Sequence, residues 1–395
     1  MLALLLIIGL QAGEIVVTGK RLEAAQQACV RGGCTPLRDA QASIALAEAQ
    51  FRNGDYLIAK RTLAAAVARN RDHAATAPKP VAALYEAYAT VAYHEGDREN
   101  FRRAVAGQVH TLRDNLPAGD PAVTAVAPAL GDMWIKLGHY RQAEMSLRSA
   151  EADAIRAGQD RAAMLVALRR AWLIASFDDR PRANRMLDEL ERRPIAQDAG
   201  LRTALRVVRF RINAASADDA QVASFAAALA RDQGAPPVLL WSPRLPMGNI
   251  EATRAESRKF GGPDPLAPRS GDVAALQWVD VGYWIRPDGH TDDVEILRGT
   301  RSADWGPAII WQISGRRYTP LRGDTAPAAG DAPGLYRIER VTRHSRYTTP
   351  RGSFIRRRVQ EDGYEYLDLT RPSDQAGTGP MTGQVDASEK TISRN

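Results

Sequence analysis

Between residues 36 and 232, small and apolar residues recur at the spacing that buries one face of an α-helix. Turn residues interrupt this pattern at nearly constant intervals of 42, 42, 40 and 40 residues. The turn residues are Gly54, Gly96, Gly138, Asp178 and Asp218. Five positions after each turn stand Ala59, Phe101, Ala143, Ala183 and Ala223, and nine positions after it stand Leu63, Val105, Leu147, Leu187 and Ala227. The sequence therefore predicts five helical units of similar length.

The first and third units share a finer pattern in which a small residue, Gly, Tyr and Ala follow one another at matching positions. These residues are Ala47, Gly54, Tyr56 and Ala59 in the first unit, and Gly131, Gly138, Tyr140 and Ala143 in the third. The pattern resembles the tetratricopeptide repeat, in which small residues let two antiparallel helices approach closely. That repeat usually has about 34 residues, so longer helices are expected here. The resemblance implies an array that binds a peptide or a protein; an irregular helical bundle with alanine-rich faces is the alternative.

A β-hairpin is predicted between residues 278 and 298. Apolar residues alternate on both strands: Val279, Val281, Tyr283 and Ile285 before the turn, and Val294 and Ile296 after it. Pro287 fixes φ for a turn and Gly289 accepts positive φ, so the chain reverses at 286–289.

A short helix and a further strand follow the hairpin. Trp305, Ile309 and Ile313 recur every four residues, Asp304 is the predicted N-cap, and a strand is predicted at 335–341. The order of strand, Arg-Pro-Asp-Gly turn, strand, helix, aromatic-x-Pro exit and strand resembles the TonB carboxy-terminal domain family over residues 273–360. This resemblance implies a ββαβ domain that pairs an exposed sheet edge with an extended peptide from an outer-membrane receptor or a periplasmic partner.

The strand at 335–341 is the predicted edge strand of that domain. Its candidate partner-binding residues are Leu335, Arg337, Glu339 and Val341. Tyr336 and Ile338 lie on the opposite face from Arg337 and Glu339, and we expect these two side chains to point into the core.

Residues 233–272 are rich in proline and are predicted to be a linker. The linker contains the apolar run 238–241, which we expect to pair with, or pack against, the carboxy-terminal domain. The polar segment 361–395 lacks apolar periodicity and is predicted to be a disordered tail.

The amino terminus resembles an export signal. Residues 1–13 combine a short apolar run, about half the length that spans a bilayer, with small residues that suit cleavage; a buried helix turn is the alternative. In the following segment, 14–35, Cys29 and Cys34 enclose a Gly-Gly turn and are expected to form a disulfide in an oxidising compartment. Residues 14–19 resemble the Glu-Ile-Val-Val-Thr-Gly segment of TonB-dependent receptors, and 15–18 are β-prone; an inherited sequence without function is the alternative reading.

The sequence contains no recognisable catalytic arrangement. Its six histidines are scattered, and Arg98 stands where a zinc-protease helix would carry its second histidine after His94 and Glu95. No metal or cofactor site is predicted. The net charge of +7 is spread along the chain, and the run 356–358 is its densest basic cluster, so a nucleic-acid partner is not predicted.

Together these features predict a multidomain α + α/β chain: an α-solenoid of TPR-like helix pairs followed by a small ββαβ TonB-like domain. We expect a non-catalytic periplasmic adaptor that binds a protein or peptide partner of the cell envelope, with a TonB-dependent receptor as one candidate, and that has no integral membrane span. The alternatives are a TonB-type energy transducer for outer-membrane transport, and an enzyme whose site is not visible in the sequence.

Overall fold

The structure is a computed structural model that describes residues 10–177, 179–214, 219–229, 237–245, 275–301, 303, 305–321, 334–349 and 351–370. It divides into two compact units, Met1–Ala163 and Met164–Asn395. The second unit contains helices as well as the carboxy-terminal sheet.

The helices of the described residues, in chain order, are α1 (Leu10–Val30), α2 (Pro36–Arg52), α3 (Tyr56–Asn70), α4 (Pro78–Glu95), α5 (Arg98–Asn115), α6 (Pro121–Val126), α7 (Ala129–Lys136), α8 (Tyr140–Arg156), α9 (Asp160–Ala175), α10 (Arg180–Glu191), α11 (Ala199–Asn213), α12 (Asp219–Leu229) and α13 (Gly306–Ser314). The strands are β1 (Leu239–Trp241), β2 (Trp278–Ile285), β3 (Thr291–Gly299), β4 (Arg317–Tyr318), β5 (Leu335–Thr348) and β6 (Arg357–Asp368).

The first unit is built from helix pairs. Tight turns at Gly54, Gly96 and Gly138 join α2 to α3, α4 to α5 and α7 to α8, and these glycines have φ of 89°, 85° and 77°. A side chain with a Cβ rarely adopts this left-handed conformation, which explains why glycine marks these turns. The three turn positions are confirmed, whereas Asp178 and Asp218 lie outside the described residues.

Small residues at the pair interfaces let the helices approach closely. A Cβ added to Gly131 on α7 would come within 2.5 Å of Leu147 on α8. In the first four of the five predicted repeats, the positions five and nine residues after the turn are buried. These residues are Ala59, Leu63, Phe101, Val105, Ala143, Leu147, Ala183 and Leu187. Within the first unit, α4 packs against both α2 and α3, and α7 packs against α5. The array is therefore built by stacking of neighbouring pairs.

The predicted register is wrong in the fifth pair. Ala223 and Ala227 are exposed, whereas Val222 and Ala226 are buried. The buried face of α12 is therefore shifted by one residue toward the amino terminus relative to the predicted positions.

The amino-terminal segment is helical in its described part. Residues 15–18, which are β-prone in sequence, lie within α1. Cys29 and Cys34 form the expected disulfide, which ties the end of α1 to the loop before α2. Residues 1–9 lie outside the described part of the chain.

In the second unit, α9, α10 and α11 share an apolar core. The carboxy-terminal sheet is antiparallel with the strand order β3-β2-β5-β6. The predicted hairpin, the helix at 306–314 and the strand beginning at Leu335 are present, while β6 was not predicted. Residues 361–368, expected in a disordered tail, form the second half of β6.

Strand β1 joins the helices of the second unit to the sheet. It pairs with β4, as the apolar run 238–241 led us to expect. Leu239 packs in the core beneath the sheet, whereas Leu240 packs with Val207 of α11 and Leu229 of α12. Because successive side chains of a strand point to opposite sides, one short strand contributes to two cores.

We predict that Ala59→Trp destabilises the first unit by about 1–3 kcal/mol, because Ala59 is fully buried in the helix-pair interface. The matched control is Ala65→Trp on the same helix, where the side chain is exposed, and it should change stability little. Urea unfolding measures both free energies. Equal stability of the two variants would contradict the repeat register.

Candidate functional site

The face of the sheet beneath α13 is mostly apolar. The side chains that share this core are Val279, Val281, Tyr283, Ile285, Trp305, Ile309, Ile313, Tyr318 and Val341. The β2 residues alternate as predicted, and the helix buries them from one side. Asp304, the predicted N-cap, lies outside the described residues.

A charged pair is buried in the same core. Arg316 Nη1 lies 2.7 Å from Glu339 Oε2, and the arginine side chain is only 2% exposed. Tyr283 donates a hydrogen bond of 2.8 Å to Glu339 Oε1, and its hydroxyl lies 2.9 Å from that of Tyr318. These contacts join β2, β4, β5 and the exit of α13 in one polar network, which we call the core network (Tyr283, Arg316, Tyr318 and Glu339).

The protonation states of the core network follow from burial. Burial and the nearby Glu339 carboxylate raise the pKa of Tyr283 well above its ordinary value of 10.0. Burial alone would lower the pKa of Arg316, but Glu339 raises it well above its ordinary value. Arg316 is therefore charged and Tyr283 is a neutral hydrogen-bond donor. The core network therefore pairs each of its buried polar side chains with a partner on another element.

The predicted edge strand is in the interior of the sheet. β5 pairs with β2 on one side and with β6 on the other, so its expected position at an edge is wrong. Arg337, Glu339 and Val341 are buried on the helix-covered face, and Leu335, at the start of the strand, is 38% exposed. The geometric basis for partner binding by these four residues is therefore absent.

The faces of β5 are also reversed relative to the prediction. Tyr336 and Ile338 lie on the opposite side of the sheet from Val341 and are half-buried. The prediction assigned apolar side chains to the core, and it failed because Arg316 and Tyr283 supply partners that allow Glu339 to be buried.

The second face of the sheet carries another buried ion pair. Asp280 on β2 accepts two hydrogen bonds from Arg340 on β5, of 2.6 Å and 2.8 Å, and one of 2.7 Å from Arg298 on β3. The Arg340 guanidinium also lies 3.9 Å from the ring centre of Trp278. Sequence reasoning missed these residues, although Asp280 within an apolar strand was a signal for a buried charge partner.

An aromatic patch lies on this second face, beyond the ion pair. Trp284 and Tyr336 have ring centres 4.9 Å apart. Tyr336 extends across Gly282, where any Cβ would collide with its ring, and Leu297 approaches from β3. Leu297 is 41% exposed. We call Trp284, Leu297 and Tyr336 the aromatic patch.

Strand β3 forms one edge of the described sheet, next to the aromatic patch. Residues of β3 are exposed along most of its length. Its register with β2 shifts twice, and Asp293 adopts a positive φ of 49°. Such irregularities discourage indiscriminate pairing at a sheet edge. The carboxylates of Asp293 and Glu295 add negative charge to this edge, while Asp292 pairs with Arg286 at 3.4 Å.

Among the described residues, no group of three or more His, Cys, Asp or Glu side chains is arranged to hold a metal ion. Within that same part of the chain, no helix combines the length and apolar content needed to cross a membrane.

Comparisons with known proteins give only distant fold similarity. No protein-family model matches the chain, and no curated protein matches it. A solved structure from Podosopora anserina, described as a putative kinesin light chain with nearly identical TPR-like repeats, is 16% identical over 46% of this chain and 87% of its own, with a TM-score of 0.38. BtubC (BKLC) from P. vanneervenii is 15% identical over 56% of this chain and 89% of its own, with a TM-score of 0.41. Similarities this low carry no argument, and the helix-pair assignment rests on the packing described above.

We predict that Glu339→Gln lowers the free energy of unfolding by about 3–5 kcal/mol, because Arg316 is then buried without a counter-charge. Replacing both residues with leucine should recover much of this loss. The matched control is Glu361→Gln, because Glu361 pairs at 3.0 Å with the half-exposed Arg346 and should contribute at most about 1 kcal/mol. Urea denaturation followed by tryptophan fluorescence measures all three. A double variant no more stable than Glu339→Gln would contradict the buried pairing.

A pH dependence follows from Tyr283. Its folded-state pKa lies above the unfolded value near 10.0, so its contribution to stability is complete below that pH and is lost as pH rises through the folded-state pKa. We expect unfolding free energies measured at a series of alkaline pH values to fall more steeply for the wild type than for Tyr283→Phe. Parallel curves would show that the phenol ionises equally in the folded and unfolded states.

Proposed function

We propose that this protein is a non-catalytic interaction adaptor whose carboxy-terminal sheet accepts an extended partner peptide along the outer edge of β3. The observation that carries the proposal is the exposed position of β3 beside the aromatic patch. The proposal keeps the peptide-binding mode that the TonB-like order of elements implies, but moves it from β5 to β3.

The main chain supplies the first part of the argument. In the described sheet β3 pairs only with β2, so its outer N–H and C=O groups face away from the sheet. Backbone hydrogen bonds from an added strand provide affinity, and side-chain pockets provide specificity. The two register shifts make this edge irregular. An arbitrary strand should therefore pair with it poorly, whereas a peptide that matches the irregular edge can still bind.

The side chains indicate the chemistry of the peptide. On one face an added strand meets Leu297 of β3, behind which the rings of Trp284 and Tyr336 lie, and on the other it meets Ile296, which is 37% exposed next to Gly306 of α13. The carboxylates of Asp293 and Glu295 favour lysine or arginine in the partner. We therefore propose a peptide that combines apolar residues with basic ones.

The helix pairs of the first unit would provide a second protein-binding surface. Arrays of stacked helix pairs commonly hold a peptide or protein along one face. Exposed apolar side chains such as Leu37, Ile58 and Met145, which are 54%, 50% and 66% exposed, supply contact area on these helices. Two binding surfaces in one chain support an adaptor role.

We further propose that the adaptor works in the periplasm. The disulfide between Cys29 and Cys34 supports an oxidising compartment, and the apolar start of the chain resembles an export signal. A TonB-dependent receptor is a candidate partner, because the order of elements in residues 273–360 resembles the TonB carboxy-terminal domain. Cell fractionation and amino-terminal sequencing of the protein would test the periplasmic location, and a cytoplasmic, uncleaved product would contradict it.

The edge-binding proposal is tested by photo-crosslinking from residue 297 in envelope extracts, followed by calorimetry with a synthetic peptide from the captured segment. We expect Leu297→Ser to weaken binding at least about fivefold, because it removes buried apolar contact. Glu295→Lys should weaken binding of a basic peptide further. Hydrogen exchange should show protection of the β3 amides on binding.

The matched control is Leu335→Ser, because Leu335 has nearly the same exposure as Leu297, 38% against 41%, but lies on the interior strand β5. This control should bind like the wild type. Loss of binding in the Leu335 variant alone, or binding that leaves the β3 amides unprotected, would contradict strand addition at β3.

A further inference from the structure

The β5–β6 hairpin continues beyond the rest of the sheet. β5 pairs with β2 only as far as Thr342, whereas its pairing with β6 extends to Thr348 opposite Arg357. The last four pairs, from Ser345 opposite Gln360 onward, form a two-stranded ribbon about 14 Å long. We call this ribbon and the described residues of its connecting loop the hairpin extension (residues 345–349 and 351–360).

The tip of the hairpin extension is apolar and exposed. Phe354 is 102% exposed and Ile355 is 70% exposed, so neither side chain contributes to a core. Adjacent large apolar residues with this degree of exposure are costly in water. Exposed apolar residues of this kind at a protruding site mark a contact surface.

The same region is strongly basic. From residue 345 to residue 360 the sequence contains five arginines and no Asp or Glu. Arg346 is paired with Glu361 at 3.0 Å. Arg351, Arg356 and Arg357 flank the tip and are exposed, and the described residues provide no acidic partner for them. The apolar tip is therefore surrounded by available positive charge.

Contacts along the ribbon hold this arrangement in place. Arg358 donates a hydrogen bond of 2.7 Å to the Tyr347 hydroxyl. The guanidinium groups of Arg356 and Arg358 lie 5.2 Å and 5.1 Å from the centre of the Tyr347 ring. These contacts link β5 to β6 just below the loop, so the tip is presented on an ordered support.

We propose that the hairpin extension docks on a lipid surface with anionic headgroups, inserting Phe354 and Ile355 among the acyl chains while the arginines contact lipid phosphates. The interface of a bilayer offers hydrocarbon and negative charge within a few ångströms of each other, and this tip matches both. Guanidinium groups also bind phosphate oxygens in a bidentate manner. This proposal does not depend on the peptide site at β3.

A lipid surface fits the tip better than a nucleic acid does. Proteins that bind single strands place aromatic side chains so that successive bases can stack on them. Here one aromatic side chain, Phe354, is followed by Ile355, which has no ring on which a base could stack. A hydrocarbon layer accepts both side chains without any such requirement.

The test is co-sedimentation of the full chain with vesicles of phosphatidylcholine alone or mixed with phosphatidylglycerol. We expect binding to the mixed vesicles only, weakening as salt rises. Phe354→Ser with Ile355→Ser should reduce binding at least about tenfold, because the tip residues no longer insert. Arg351→Gln with Arg356→Gln and Arg357→Gln should reduce it by about fivefold for each arginine removed.

The matched control is Ile155→Ser, which removes a large apolar side chain that is 51% exposed on α8, outside the hairpin extension. It should bind vesicles like the wild type. Circular dichroism should show the same helix and strand content for every variant, since all the altered side chains are exposed.

Insertion is measured directly with a single label. The two cysteines of the chain are joined in a disulfide, so Phe354→Cys introduces a unique thiol for an environment-sensitive fluorophore. Its emission should shift to the blue with mixed vesicles and not with phosphatidylcholine vesicles. Absence of vesicle binding by the wild type, binding that survives the serine variant, or tip-dependent binding of a single-stranded oligonucleotide without vesicle binding would each overturn the proposal.

Discussion

The constraint that organises the carboxy-terminal domain is that the buried charges of Arg316 and Glu339 must stay paired with each other. Two charges removed from water are costly unless each is paired and hydrogen-bonded, and here the Tyr283 hydroxyl completes the environment of the carboxylate. The pair requires Glu339 to face α13, and the pairing of β5 with β2 and β6 makes β5 an interior strand. Once β5 is interior, β3 and β6 form the two ends of the described sheet.

Local features of this fold were predictable from sequence, and the long-range pairings were not. Glycine at the helix turns, proline and glycine at the 286–289 reversal, and the four-residue spacing of Trp305, Ile309 and Ile313 each act within a few residues. In contrast, Glu339 is 23 residues from Arg316, and Arg340 is 60 residues from Asp280. A prediction from hydrophobic periodicity assigns such charged residues to the surface, because it uses only neighbouring residues and their partners are distant in the sequence.

The same reasoning explains the missed strand and the shifted helix. β6 is half-exposed and rich in charged residues, so its sequence resembles a polar tail, and only pairing with β5 makes it a strand. In α12 the buried face is offset by one residue from the predicted positions, which corresponds to about 100° around a helix. The sequence predicted β3 as the second strand of a hairpin. Its position at an edge of the sheet was not predictable, because that position depends on β5 pairing with the other side of β2.

Strand β1 has a consequence for how the second unit unfolds. Leu239 completes the core under the sheet while its neighbour Leu240 completes the core of α11 and α12. If either core unfolds, β1 is displaced and the other core loses the leucine that β1 contributes to it. The helices and the sheet should therefore unfold together as one cooperative unit. A protease that cuts between α12 and β1 would therefore release two fragments that each expose an apolar hole, and neither should persist as a separate domain.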